Sequence, residues 1–237
     1  MYAALPCPRA VLFDFFGTLT RSVRRGPAHA LIARWLGLDP AAYIAALNRT
    51  FYERARGQCG PPAHALRRIA YELGARPGDA TLAAAALARI DAVRADTTLR
   101  PDAVQILTRL RARGIRTAVV SDCWYELPAF LPDLPVAPLL DACVYSLHVG
   151  YCKPHPAMYL TACQRLGVEP DECLYVGDGG SRELSGARAA GMAAVRLAAP
   201  DLAGRHLVFN AEVGWTGPLV RSLSDVVGLL DRVPVPA

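Results

Sequence analysis

The sequence predicts an α/β protein, a Rossmann-like parallel sheet core carrying an inserted, all-helical cap. Three observations predict it. After residue 97, short apolar runs alternate with helical segments, the pattern of strands joined by crossover helices. From 22 to 96 the pattern is helical throughout and interrupts that alternation. Asp14, Ser121 and Asp178 each stand at the end of an apolar run, and open parallel sheets bind ligands at the carboxyl ends of strands. The expected division is 1–21 and 97–237 for the core and 22–96 for the cap.

The elements follow in order. Residues 10–13 (Ala-Val-Leu-Phe) read as a buried strand, and 15–20 as a turn leaving it. Pro27 opens a helix that ends near Gly37. Pro40 opens another, with Tyr43, Ile44, Leu47 and Phe51 at helical spacing, ending near Gly57. A third runs from Pro62 to Leu73, and Asp79 caps an alanine-rich fourth to about Ala95. In the core, helices are expected at 102–113, 154–166 and 181–190, each closed by a glycine. Strands are expected at 115–120, 142–146, 173–176 and 193–197, and a closing helix at 219–230.

Composition narrows the class. The 237 residues are 53% hydrophobic and 20% charged, enough for one ordinary core plus an insertion and incompatible with a disordered chain. No stretch without a charged residue exceeds eleven, below the roughly 20 that a membrane span needs. No basic, apolar, small-residue leader opens the chain, so a soluble, cytoplasmic protein with no membrane partner is expected. Seven cysteines form no C-x-x-C pair and read as buried free thiols. The net charge of +5 is scattered, without basic runs interleaved with aromatics, which argues against nucleic acid. Oligomeric state stays open between monomer and homodimer. Of the 26 basic residues only Lys153 is a lysine, which suggests a position where a compact ammonium is required.

The strand-end residues have definite chemistry. Asp14, facing a turn of free N–H groups, suits a nucleophile or a hard oxygen ligand for Mg²⁺; a turn aspartate is the alternative. Asp178 and Glu183 suit a divalent cation, or acids complementing a helix dipole. Ser121 offers a hydroxyl to a phosphoryl oxygen, and Lys153 neutralises a carboxylate and an anionic transition state.

Four segments then resemble one known set. Phe13-Asp14-Phe15-Phe16-Gly17-Thr18-Leu19, Val119-Val120-Ser121, the stretch from Ser146 to Pro156 with Lys153, and Val176-Gly177-Asp178 with Glu183 and Gly186 to Met192 are similar, in order and spacing, to the four motifs of the haloacid dehalogenase-like hydrolases. The resemblance implies Asp14 as a nucleophile forming an aspartyl intermediate. Ser121 and Thr18 would bind the transferred group and Lys153 would steady it. Asp14, the carbonyl of Phe16 and Asp178 would hold Mg²⁺, with Glu183 supporting the ion through water. A small anionic, phosphorylated metabolite is the implied substrate.

The departure is at Phe16. Phosphatases of that family carry a second aspartate there, which protonates the leaving group and later activates water. A phenyl ring does neither, and such a group is worth about 10²–10⁴ in rate. Three readings follow: phosphoryl transfer from a good leaving group; a dehalogenase, whose halide needs no proton; or a catalytically weakened binding member. The metal-type fourth motif favours the first. Arg21, Arg24 and Arg25 are candidates to grip a second anionic group, against a solvated linker. Arg49 is a candidate cap contact to substrate, against an exposed helical arginine. Asp122 is a substitute acid or an N-cap. Trp124 reads as packing and His155 as a helix start.

Overall fold

A computed structural model describes residues 8–204 and 209–230; Cys7 lies outside them. Residues 22–96 carry five helices: α1 (Ala28–Trp35), α2 (Pro40–Arg49), α3 (Phe51–Ala55), α4 (Pro62–Glu72) and α5 (Asp79–Ala95). They bury a cluster, joined by Trp124 from the segment after residue 121, in which Tyr43, Leu47, Leu66 and Leu82 are almost wholly enclosed. The remaining helices are α6 (Ala103–Ala112), α7 (Glu126–Phe130), α8 (Ser146–Val149), α9 (Pro156–Leu166), α10 (Glu183–Ala189) and α11 (Leu223–Leu230).

The strands are β1 (Ala10–Phe13), β2 (Arg116–Ser121), β3 (Ala142–Tyr145), β4 (Cys173–Gly177), β5 (Ala193–Leu197) and β6 (Leu219–Val220). They form one parallel sheet in the order β3-β2-β1-β4-β5-β6. All four residues of β1 are fully buried, because helices cover both faces. Val11 and Phe13 face the layer of α6 and α11, and Ala10 and Leu12 face α9 and α10. The chain moves outward from β1 to β2 and β3, then returns to pair β4 on the other side of β1. That reversal is the switch point where such sheets bind ligands, and Asp14 and Asp178 follow the two strands flanking it.

Several boundaries differ from expectation. The helix expected from Pro40 to Gly57 breaks at Thr50, whose hydroxyl donates to the Ala46 carbonyl and accepts from Arg54 Nε. Leu219–Val220 is a sixth strand rather than the start of the closing helix, because it pairs with Arg196 and Leu197. Ser146 opens α8 instead of ending β3. The helix α7, only implied after Asp122, packs against α5.

Two linkers join the insertion to the core side by side. Arg21 N–H donates to the Thr98 carbonyl at 2.8 Å and Arg100 N–H to the Leu19 carbonyl at 2.9 Å, with Thr20 and Leu99 bridged antiparallel between them. Among the described residues no single helix is long and apolar enough to cross a membrane. The six described cysteines are free thiols.

Candidate active site

Asp14 leaves β1 with its N–H bonded to the Val176 carbonyl of β4. The turn after it closes when Thr20 N–H reaches the Phe15 carbonyl. Gly17 makes that turn possible in two ways. Its φ is +89°, and a Cβ there would sit 2.6 Å from Asp178 Oδ2. Only glycine lets the first and fourth motif loops meet. Arg100 locks the turn by donating to the Gly17 and Thr18 carbonyls.

Lys153 lies at the centre. Its Nζ is 2.6 Å from Asp14 Oδ1, 2.6 Å from Glu183 Oε2 and 3.3 Å from the Tyr175 hydroxyl. All these groups are buried. One nitrogen serves three acceptors from three directions, a geometry that suits an ammonium and not a planar guanidinium. Burial alone would depress this ammonium; the Asp14 and Glu183 carboxylates outweigh it and hold it well above its usual range.

Burial pushes the Asp14 carboxyl up to about 6, with Lys153 opposing and Asp178 adding to the rise. Burial pushes Glu183 up to about 8, again against Lys153. Both Glu183 oxygens are engaged. Oε1 accepts from Gly179 N–H, and Oε2 accepts from Lys153 and from the Tyr175 hydroxyl. Glu183 is thus first of all the counter-ion of Lys153. Even so, one oxygen each of Asp14, Asp178 and Glu183 come within 4.8 Å of one another. Three acids around a single ammonium form a hard-oxygen donor set with excess negative charge, and such a set fits a divalent cation.

Thr18 and Ser121 are fully buried, and neither hydroxyl has a partner. Neither residue lines the cavity above Asp14, whereas Phe16 does. The Phe16 ring packs edge-on against Phe15. Asp122 also lines the cavity. It does not cap α7: Oδ1 accepts from Lys153 N–H and Oδ2 is buried without a partner. Burial raises its carboxyl, Lys153 opposing. His155 Nδ1 caps α9 through Ala157 N–H.

The cavity holds about 160 Å³ between the sheet and the insertion. It is closed on one side by α7, where Arg89 of α5 pairs with Glu126, both buried. It is closed on another by Phe51 stacked on Phe209 at 4.1 Å and by Tyr52 hydrogen-bonded to Ser181.

Two of the candidate arginines, Arg49 and Arg24, do not reach the cavity. Arg49 points to the outer surface of the insertion, where it pairs with Glu72 and both side chains are more than half exposed. An exposed pair of this kind contributes 1 kcal/mol at most. Arg24 is exposed and does not line the cavity. Arg25 does line it, bonded to Asn48. The buried cap arginines are Arg54 and Arg89, which flank Trp124 at 4.6 and 5.4 Å from its ring. Their signal was in the sequence. Arg54 continues the Leu47 and Phe51 stripe, and Arg89 the Leu82 and Ala85 stripe, so each places a charge on an apolar helix face. His29, hydrogen-bonded to Asp96 at 2.9 Å, also lines the cavity and was not singled out.

A family model described as a haloacid dehalogenase-like hydrolase matches residues 8–191. The glyceraldehyde 3-phosphate phosphatase of Methanopyrus kandleri is 34% identical over 200 residues, covering 80% of this chain and 83% of its own. The phosphoglycolate phosphatase of Rhodospirillum rubrum is 36% identical over 197 residues, covering 79% and 78%. A 2-haloacid dehalogenase structure from Pseudomonas syringae superposes with a TM-score of 0.68 at 20% identity, covering 94% of this chain and 98% of that one. That last likeness is one of fold.

Proposed function

The chain belongs to the haloacid dehalogenase-like hydrolases, and within that family we propose that it hydrolyses a small anionic phosphoryl compound with a good leaving group, using Asp14 and Mg²⁺. The observation that carries this is the trio of buried carboxylates, Asp14, Asp178 and Glu183, matched by one ammonium. Asp14, Asp178 and the Phe16 carbonyl would hold the ion, which supplies positive charge to the carboxylates and to the phosphoryl oxygens.

Asp14 Oδ attacks phosphorus, the bond to the leaving group breaks, and the leaving group departs with the electron pair. Lys153 holds the attacking carboxylate in place and in its ionised form. Thr18 and Ser121 carry unpartnered hydroxyls beside Asp14, but both lie outside the cavity, so they would meet the transferred oxygens only after the turn at Asp14 shifts. Water then attacks the phosphorus of the aspartyl phosphate and releases phosphate. Phe16 offers the leaving group no proton, so the substrate must leave without one, as an acyl phosphate does. The phosphatase relatives match about four fifths of this chain, which supports a phosphoryl substrate. Phe16 itself favours a second reading, carbon-centred hydrolysis of a 2-haloacid, since halide also departs unprotonated.

Phosphate release from acyl, aryl and alkyl phosphates, with and without Mg²⁺, separates the two. Turnover is expected with Mg²⁺ only, and only for acyl and activated aryl phosphates. Halide release from a 2-haloacid in the presence of chelator would replace the phosphoryl reading. Substituting Phe16→Asp is expected to raise alkyl phosphate hydrolysis by about 10² or more and to leave acyl phosphates within a few-fold. An unchanged alkyl rate would show that the missing acid is not what limits it.

The ion is also expected to show in stability. Asp14 and Glu183 hold their protons more tightly folded than unfolded, so metal-free stability falls as pH rises from about 4 toward 8. Mg²⁺ offsets that penalty. It is therefore expected to raise the melting temperature more at pH 8 than at pH 5; an equal rise at both would count against binding at these carboxylates.

A further inference from the structure

Arg54 is almost wholly buried, yet it has no carboxylate partner among the described residues. Its Nε donates to Thr50 Oγ1 and its Nη2 to the Leu47 carbonyl, both neutral acceptors. Those bonds use Nε and Nη2, and the residue lines the cavity. The Trp124 ring, 4.6 Å from the guanidinium, offsets part of the cost of burying this charge, but no anion is paired with it, so the arrangement calls for a counter-ion from outside the chain.

The charges around it point the same way. The cap end of the cavity holds Arg25, Arg54 and Arg89 against Glu126 and Asp96. Glu126 is committed to Arg89, and Asp96 to His29 and the Gly26 N–H. His29 is kept neutral by burial and by Arg89, against its bond to Asp96. Burial and then Arg89 press the Arg54 guanidinium down to about 10, still charged at neutral pH. One positive charge is left over. The opposite end, at Asp14 and Lys153, is the phosphoryl end on the reading above. The rings of Phe16, Trp124 and Phe209 also line the cavity, Trp124 beside Arg54.

We propose that Arg54, assisted by Arg25, is the specificity residue for a carboxylate at the far end of the substrate, which makes the substrate class a phosphorylated carboxylic acid. A single surplus charge matches a monoanionic carboxylate better than a second phosphate dianion. The substrate spans the cavity with an anion at each end and a short carbon chain against the rings. This inference rests on the phosphoryl reading for the other end.

The test is binding to the full-length Asp14→Asn protein with Mg²⁺, followed by calorimetry. Carboxyalkyl phosphates with one to four methylenes are paired with alkyl phosphates of equal length. At the matching length the carboxylate is expected to tighten binding 10- to 100-fold. Arg54→Gln is expected to erase that preference while leaving alkyl phosphate affinity within three-fold. Arg54→Met, which keeps the stem over Trp124, is the second variant, with the same result expected. Equal affinity of the two series, or a preference surviving both substitutions, overturns the assignment. If wild-type protein releases no phosphate from any phosphoryl compound, yet the preference appears and disappears with Arg54, the hydrolytic reading fails and the carboxylate site stands.

Discussion

Asp14→Asn is expected to reduce turnover at least 10³-fold while raising the stability of the fold. Loss of the nucleophile removes the covalent route altogether. The gain in stability has a separate origin. The Asp14 carboxyl titrates near 6 in the folded chain, pushed up by burial, instead of its ordinary 3.8. Ionising it inside the protein therefore costs folding free energy on the order of 3 kcal/mol at neutral pH. Asparagine fills the same space without that penalty, and Lys153 keeps Glu183 as a partner. The advantage of the variant should be small at pH 4 and grow as pH rises through 6. Denaturant melts of both proteins at pH 4, 6 and 8 check this. A stability difference that stays flat with pH would mean that burial does not hold the Asp14 carboxyl above its ordinary range.

Lys153→Met is expected to cost about 3–5 kcal/mol and all measurable turnover. The substitution leaves Asp14 and Glu183 buried with no positive charge between them. Those acids would then hold their protons still more strongly. The damage should be greater at pH 8 than at pH 5, because at pH 5 the carboxyls stay protonated and neutral. Lys153→Arg is expected to fail as well, by about 1–3 kcal/mol. Nζ reaches Asp14, Glu183 and Tyr175 from one point, and the larger planar head has no such point. Circular dichroism melts at the two pH values decide it. An equal loss at both would argue that packing, and not charge, is what Lys153 supplies.

Much of this was legible because it is local. A buried strand announces itself as Ala-Val-Leu-Phe, and a polar residue at its end marks the sheet's ligand edge. Lys153 stood out as the one lysine among 26 basic residues. What was not legible depends on which way a helix face turns. Arg49 and Arg54 lie five residues apart; the stripe of Leu47 and Phe51 hints that the second faces inward, but the break at Thr50 interrupts the helix that would carry that spacing. Arg24 and Arg25 are adjacent, and a linker without periodicity cannot say which one enters the cavity. The break at Thr50 needed a side chain competing with the backbone, and the two-residue strand at Leu219 was too short to carry a period. Phe209 comes from a distant loop, and no pattern in the sequence links it to Phe51.

The antiparallel bridge between Thr20 and Leu99 places both ends of the insertion at one spot on the core. A segment held by adjacent ends is a cassette. Its interior can lengthen, shorten or be exchanged without disturbing the six-stranded register, and the chain-closure cost grows only logarithmically, by about 0.6 kcal/mol per doubling. On the function proposed above, the catalytic floor and the helices that would select substrate are thus separable inheritances. New specificity can arrive by replacing one stretch of chain, with the chemistry beneath it left untouched.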